Sequence, residues 1–225
     1  MGMIRPTFTR ELVLLEAGMT AVIGCDEVGR GCLAGPVVAA AVMMPRELRR
    51  GWKSLVRDSK MLSRSQRKEA AAFIRVHADG FAIGEVDVAL IDRINIHHAS
   101  LEAMRRAVQS ICHPREGGDP LTVLDSHFRG NDKTAAILVD GRFAIPGIDI
   151  PQASIIHGDA RCLSIAAASI IAKEYRDELM ERMDAAFPQY GFAQHKGYAT
   201  AQHRAAILAY GLTEHHRRTF CSAFL

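Results

Sequence analysis

The sequence predicts an α/β fold, and three observations carry the prediction. Short apolar runs rich in Val, Ile and Ala recur along the chain, segments of helical periodicity separate the later ones, and acidic residues stand where several of these runs end. Later strands that alternate with helices are expected to run parallel, joined by crossover connections.

The elements follow in order. Residues 21–25 and 35–44 read as two strands, joined through the glycine turn Gly29-Arg30-Gly31, with Pro36 at the start of the second. Residues 63–78 read as a helix capped by Ser63 or Ser65. Residues 80–88 alternate as a third strand through Phe81, Ile83 and Val86, so three strands in quick succession suggest an antiparallel meander. Residues 88–111 read as a helix in one or two pieces, with Ile94, Ile96, Leu101, Met104 and Val108 on one side. Residues 135–139 form a fourth strand ending at Asp140-Gly141, and residues 152–157 a fifth. Residues 160–187 form a long helix whose run of alanines, Ala166 to Ala168, allows close packing on the sheet. A loop follows Pro188, then a helix near residues 201–210 and a polar tail. Residues 1–187 are thus read as one core and 188–225 as a helical C-terminal extension of the same compact unit. The stretch 113–134 carries Gly-Gly, two prolines and scattered charge without periodicity, and reads as a surface insertion.

Bulk properties narrow the class. Of 225 residues, 48% are hydrophobic and 24% charged, which suits a soluble globular domain with a proper core. No apolar run is long enough to span a bilayer, and the first twenty residues lack a secretion signal. The five cysteines show no CxxC pair and no histidine partner at zinc spacing, which points to reduced, buried thiols and a cytoplasmic location. A monomer is the expected state. The net charge of +3 is mild, but residues 45–68 hold nine Lys/Arg against Glu47 and Asp58, a local net of +7 around the single tryptophan, Trp52. Such a block fits phosphate contacts with a stacking platform, or simply a solvated helix face.

The candidate chemistry lies in four carboxylates. Asp26 and Glu27 adjoin the first strand, Asp140 closes the fourth, and Asp159 follows the fifth. Ligands of open α/β sheets gather at such strand ends. Adjacent acids beside a buried strand repel each other and resist desolvation unless a cation joins them. A set of carboxylates suits hard divalent ions, Mg²⁺ or Mn²⁺, rather than zinc. Plain alternatives stand beside two of them: Asp140-Gly141 as a turn dipeptide, and Asp159 as the N-cap of the helix after it.

Taken together, six ordered blocks resemble the bacterial ribonuclease HII family. They are DEVGRG with Gly35-Pro36, RDSKMLS (Arg57 to Ser63), LVDG (Leu138 to Gly141), HGDA with SIAAASIIAK (His157 to Lys173), FPQYGFAQHKGYAT (Phe187 to Thr200) and TEHHRRTF (Thr213 to Phe220). The resemblance implies a ribonuclease H-like fold, with a mixed five-stranded sheet flanked by helices and a helical C-terminal extension. It implies an endonuclease that hydrolyses the RNA strand of RNA–DNA hybrids and cuts 5′ of ribonucleotides embedded in duplex DNA, leaving 5′-phosphate and 3′-hydroxyl ends. Two divalent ions, Mn²⁺ or Mg²⁺, would be held by Asp26, Glu27, Asp140 and Asp159, which are the implied catalytic acids. Gly29, Arg30, Gly31 and Tyr198 would read the ribose 2′-hydroxyl, and Lys60 would contact phosphate. Lys173, His195, Lys196 and the run His215 to Arg218 are further backbone-contact candidates, while Ser164 and Ser169 read as helix packing. The acids of the inserted stretch, Asp119, Asp125 and Asp132, are not counted as ligands. Two other readings stay open: a metal nuclease of the same superfold without ribonucleotide selectivity, and a nucleic-acid-binding module inactivated by its insertion.

Overall fold

A computed structural model describes residues 5–112, 123–124 and 135–222 of the chain. The expected insertion therefore lies outside the described residues, as do Asp119, Asp125 and Asp132, apart from the backbone of one short strand. The chain runs through α1 (Thr9–Glu16), β1 (Ala21–Val28), β2 (Val37–Met43), α2 (Arg50–Leu55), α3 (Arg64–His77), β3 (Gly80–Val86) and α4 (Val88–Cys112). It continues through β4 (Val123–Leu124), β5 (Ala135–Asp140), β6 (Gln152–Ile155), α5 (Leu163–Ala186), α6 (Phe192–His195), α7 (Ala201–Tyr210) and α8 (Arg218–Cys221).

The five expected strands form one mixed sheet, and the two-residue β4 extends its edge, giving the order β4-β3-β2-β1-β5-β6. β1, β2 and β3 are the antiparallel meander. β5 pairs parallel with β1 on one side and with β6 on the other. The sheet separates two apolar layers. Even-numbered residues of β1 and β2, among them Val22, Val38, Ala40 and Val42, face α3 and α5. Odd-numbered residues, among them Ile23, Cys25, Ala39 and Ala41, face α4. This is the period-two alternation of a sheet covered on both sides.

Small residues let the layers close. A Cβ on Gly24 would lie 2.1 Å from the backbone carbon of Ser164, so β1 and α5 touch backbone to backbone. Helix α3 starts with a full capping box, Ser63 Oγ accepting from the Gln66 N–H while the Gln66 side chain accepts from the Ser63 N–H. Helix α4 is broken at Asn95 (φ 66°, ψ 164°), whose Oδ1 accepts the N–H groups of His97 and His98 and so caps the second half. A third apolar cluster joins the end of α5 to α6 through α8 around Tyr190, Phe192 and Ile207.

Three local readings change. Trp52 is fully buried, edge-on to Phe73 at a centroid distance of 5.4 Å, so it forms core and offers no stacking surface. The long helix begins at Leu163 with Cys162 as its N-cap, and Asp159 sits in a separate 3-10 turn, Gly158–Ala160. Helix α1 escaped the periodicity because it is eight residues long, yet it buries Glu11, whose Oε1 accepts from both the N–H (2.8 Å) and hydroxyl (2.7 Å) of Ser164.

Candidate active site

The carboxylates are placed by the register of the central parallel pair. Cys25 is opposite Val139, so Asp26 and Asp140, the next residues on β1 and β5, end side by side on the face toward α5. Glu27 turns to the opposite face by strand alternation. Asp140 Oδ1 accepts the Gly158 N–H at 2.6 Å, which ties β5 to the turn carrying Asp159. All four acids thus gather at one end of the sheet.

Their environment strains them. Asp26 is buried, and its carboxyl is held well above the usual range, first by desolvation and then by the charges of Glu27 and Asp140. Burial also raises Glu27 and Asp140, although Arg30 opposes the effect at Glu27 and the Gly158 N–H opposes it at Asp140. Two cations already pair with members of the group. Arg30 Nη1 lies 3.0 Å from Glu27 Oε1, and Lys60 Nζ lies 2.9 Å from Asp159 Oδ2. The partner oxygen, Glu27 Oε2, is buried with no hydrogen bond. Among the described residues no three acids or imidazoles already converge on a single metal position. An all-carboxylate donor set, mutually repelling, with one buried oxygen unpartnered, nevertheless suits hard divalent ions once Glu27 and Asp159 turn from their cationic partners.

A cavity of about 470 Å³ opens over this cluster, lined by Asp26, Glu27, Asp140, the turn Gly29-Arg30-Gly31, Lys60 and Tyr198. The structure therefore brings every one of the expected substrate residues to the same cavity. Tyr198 is 41% exposed there, beside Cys32 in an isolated antiparallel bridge.

What shapes the glycine turn lay outside the sequence reading. Arg217 is fully buried and donates to the carbonyls of Gly29 (2.7 Å), Arg30 (2.8 Å) and Gly35 (3.0 Å). Arg176, also fully buried, donates to Ala34 (3.1 Å), Pro36 (3.0 Å) and Lys196 (2.8 Å). Gly29 has φ 91°, and a Cβ there would lie 2.2 Å from Arg176 Nε, so both conformation and space demand glycine. Within the run at residues 215–218, His216 and Arg217 are buried, Arg217 holding the glycine turn and His216 bonding His203, whereas Arg218 is exposed. Ser169, expected only to pack its helix, also lines the cavity, lies 3.0 Å from Ser59 Oγ and partly offsets the upward push on the Asp26 carboxyl. Lys173 and Lys196 pair with Asp177 and Glu181 respectively. His195 is buried, with Nε2 donating to the Tyr190 carbonyl at 2.8 Å.

This fold, closing on an acidic cluster beneath an open cavity, places the chain among α/β proteins with an acidic site at the sheet end, an arrangement that suits a metal-dependent nuclease. Within that class, the family model for ribonuclease HII matches residues 23–116 and 128–223. The chain is 42% identical over 218 residues to a ribonuclease HII from Dehalococcoides mccartyi, covering 96% of this chain and 93% of that one. It is 44% identical over 212 residues to one from Alkaliphilus metalliredigens, covering 94% and 95%. Among solved structures, the ribonuclease H2 of Pyrococcus horikoshii OT3 superposes with a TM-score of 0.70 at 21% identity, covering 91% of this chain and 97% of that one. A Bst-RNase HIII in complex with Mn²⁺ superposes with a TM-score of 0.62 at 23% identity, covering 89% and 66%. The chain belongs to the ribonuclease HII family, hydrolases that act on RNA in RNA–DNA hybrids and depend on divalent metal.

Proposed function

We propose that this protein cuts the RNA strand of RNA–DNA hybrids and also cuts 5′ of single ribonucleotides embedded in duplex DNA, leaving 5′-phosphate and 3′-hydroxyl ends. The observation that carries the reading is the juxtaposition, in one cavity, of Asp26, Glu27 and Asp140, with Asp159 tied to its rim through Lys60, and a glycine turn pinned by two buried arginines. A cluster of acids alone would serve any metal nuclease; a rigid, side-chain-poor turn beside it suits close approach to a sugar.

Asp26, Glu27, Asp140 and Asp159 would hold two divalent ions, Mn²⁺ or Mg²⁺. When bound, such ions supply the nucleophile activation and charge neutralisation that phosphodiester hydrolysis needs. The chain's own residues do the positioning. The backbone of Gly29, Arg30 and Gly31, which lines the cavity, would hydrogen-bond the 2′-hydroxyl, the group that separates a ribose from a deoxyribose. Tyr198 offers a ring to pack on the same sugar and a hydroxyl that can donate or accept. Lys60, released from Asp159, neutralises the adjacent phosphate. Residues 1–187 would act as the catalytic core, with 188–225 as its helical C-terminal extension in the same compact unit, and the protein would work as a cytoplasmic monomer that removes misincorporated ribonucleotides.

The test is cleavage of a DNA duplex carrying one ribonucleotide, in Mg²⁺ and in Mn²⁺, beside the all-DNA duplex and with Asp140→Asn as control. A single cut 5′ of the ribonucleotide, lost in the variant, supports the reading. Equal cutting of both duplexes would replace it with a nuclease lacking ribonucleotide selectivity.

A further inference from the structure

A second cleft meets the candidate active site from the α4 side of the sheet. It shares Glu27, Arg30 and Asp140 with the main cavity, and its outer wall is His97, Arg142 and Phe143. Phe143 is 56% exposed, an apolar ring left in solvent two residues beyond the loop glycine that follows β5. It stands edge-on to His97, with centroids 4.7 Å apart. His97 is placed there by the break in α4: Asn95 takes a left-handed φ of 66°, and its side chain caps the His97 N–H at 2.9 Å. Backbone strain at a non-glycine residue beside a cavity is a device for aiming side chains. Arg142 is exposed on the same wall, and Arg30 is half exposed at the cleft's inner edge. An exposed ring flanked by cations, continuous with a phosphodiester-cleaving site, matches the sugar–phosphate chemistry of a nucleic-acid strand.

We propose that Phe143, His97 and Arg142 form a second substrate subsite, across the Glu27–Arg30 ion pair from Tyr198. It takes one sugar–phosphate unit of the duplex beyond the scissile phosphate, with the Phe143 ring against the sugar and Arg142 on the phosphate. The occupant is nucleic acid, because the exposed wall offers two arginines, a histidine and one ring, while the apolar Leu101 and Met104 of the lining are half-buried and buried and leave no broad apolar area of the kind a protein partner needs. This inference rests on the reading of the site as one that cleaves ribonucleotide-containing duplexes.

The experiment compares wild type with Phe143→Ala and Arg142→Gln, two exposed substitutions whose folding is checked by thermal melting. KM and kcat are measured in Mn²⁺ on the single-ribonucleotide duplex, full length and trimmed close to the ribonucleotide from each end. Duplex binding by fluorescence anisotropy is followed across salt concentrations. The expected result for Phe143→Ala is a KM raised about tenfold with kcat within about twofold. Trimming one particular end should weaken wild type and leave Phe143→Ala unaffected. Arg142→Gln should lower the slope of log affinity against log salt by about one. Wild-type KM in Phe143→Ala, or a trimming penalty of the same size in both proteins, would overturn the subsite. If wild type showed no ribonucleotide preference, the parent reading would fail instead, and the anisotropy slopes would still decide whether Arg142 touches a phosphate.

Discussion

Asp26 shows most clearly how a single residue can oppose folding. Its folded carboxyl titrates well above the ordinary value because burial, Glu27 and Asp140 all disfavour the charge. A group whose folded pKa is raised binds more protons folded than unfolded, so its contribution to stability falls as pH rises through and above the carboxylate range. At neutral pH the metal-free protein carries that cost. Asp26→Asn should therefore raise the melting temperature of chelator-treated protein by roughly 2–4 °C per kcal/mol recovered, while cleavage falls by at least about 100-fold. Calorimetry and a cleavage assay on the same samples check both halves. At this scale the sequence was legible where chemistry is local. Two neighbouring acids beside glycines announce a charged site in any context, and Asp26, Glu27, Asp140, Asp159, Lys60 and Tyr198 do share one region of the structure. Arg176 and Arg217 were not legible, because a buried arginine that bonds to carbonyls and a solvated arginine look alike until the chain is folded.

At the scale of elements, contact between β1 and α5 decides where Asp26 sits. Gly24 has no room for a side chain: a Cβ would meet Ser164 C at 2.1 Å and Ile165 N at 2.5 Å. Backbone cannot yield as a flexible side-chain tip can, so Gly24→Ala should destabilise by about 2 kcal/mol or more, read by urea unfolding. The strand periodicities announced the sheet, but not that this glycine was the contact point, since an apolar strand reads the same whichever residue touches the helix. The segment after α7 carries a second prediction. Thr213 donates through its N–H (3.0 Å) to His216 Nδ1, which leaves Nε2–H to point at His203 Nε2 (3.1 Å), while His203 Nδ1–H donates to the Tyr198 carbonyl (2.9 Å). Burial, with the neighbouring His203 and His215 charges, pushes His216 down to about 4. A histidine with a depressed folded pKa binds fewer protons folded than unfolded, so its contribution is complete above about 6.5, declines as pH falls from there, and is gone below about 4. The full span is worth about 3 kcal/mol. Denaturant melts at pH 7 and pH 4.5 should show a drop that His216→Gln largely abolishes.

For the molecule as a whole, the buried carboxylates and the fold oppose each other, a conflict that a divalent ion bound among them would relieve. Ligands that bind only the folded state stabilise it by mass action. Millimolar Mn²⁺ should therefore raise the melting temperature of wild type by several degrees, about 2–4 °C for each kcal/mol of linkage, and raise that of Asp140→Asn far less; equal shifts in both would place the ion elsewhere. Architecture was the most legible level of all, because strand and helix periods, meander and crossover are each written in short stretches. What no stretch could show is how distant parts of the chain close on one another. The turn at residues 29–31 belongs to the first strand made, yet Arg176 and Arg217, which shape it, come some 150 and 190 residues later. During synthesis the acids of β1, β5 and the turn before α5 are all in place before Arg217 emerges. A nascent or proteolysed chain ending short of Arg217 would thus own its four carboxylates and lack the carbonyl contacts that fix the turn; on the proposed reading, it would keep the acids and lose the part that tells one sugar from the other.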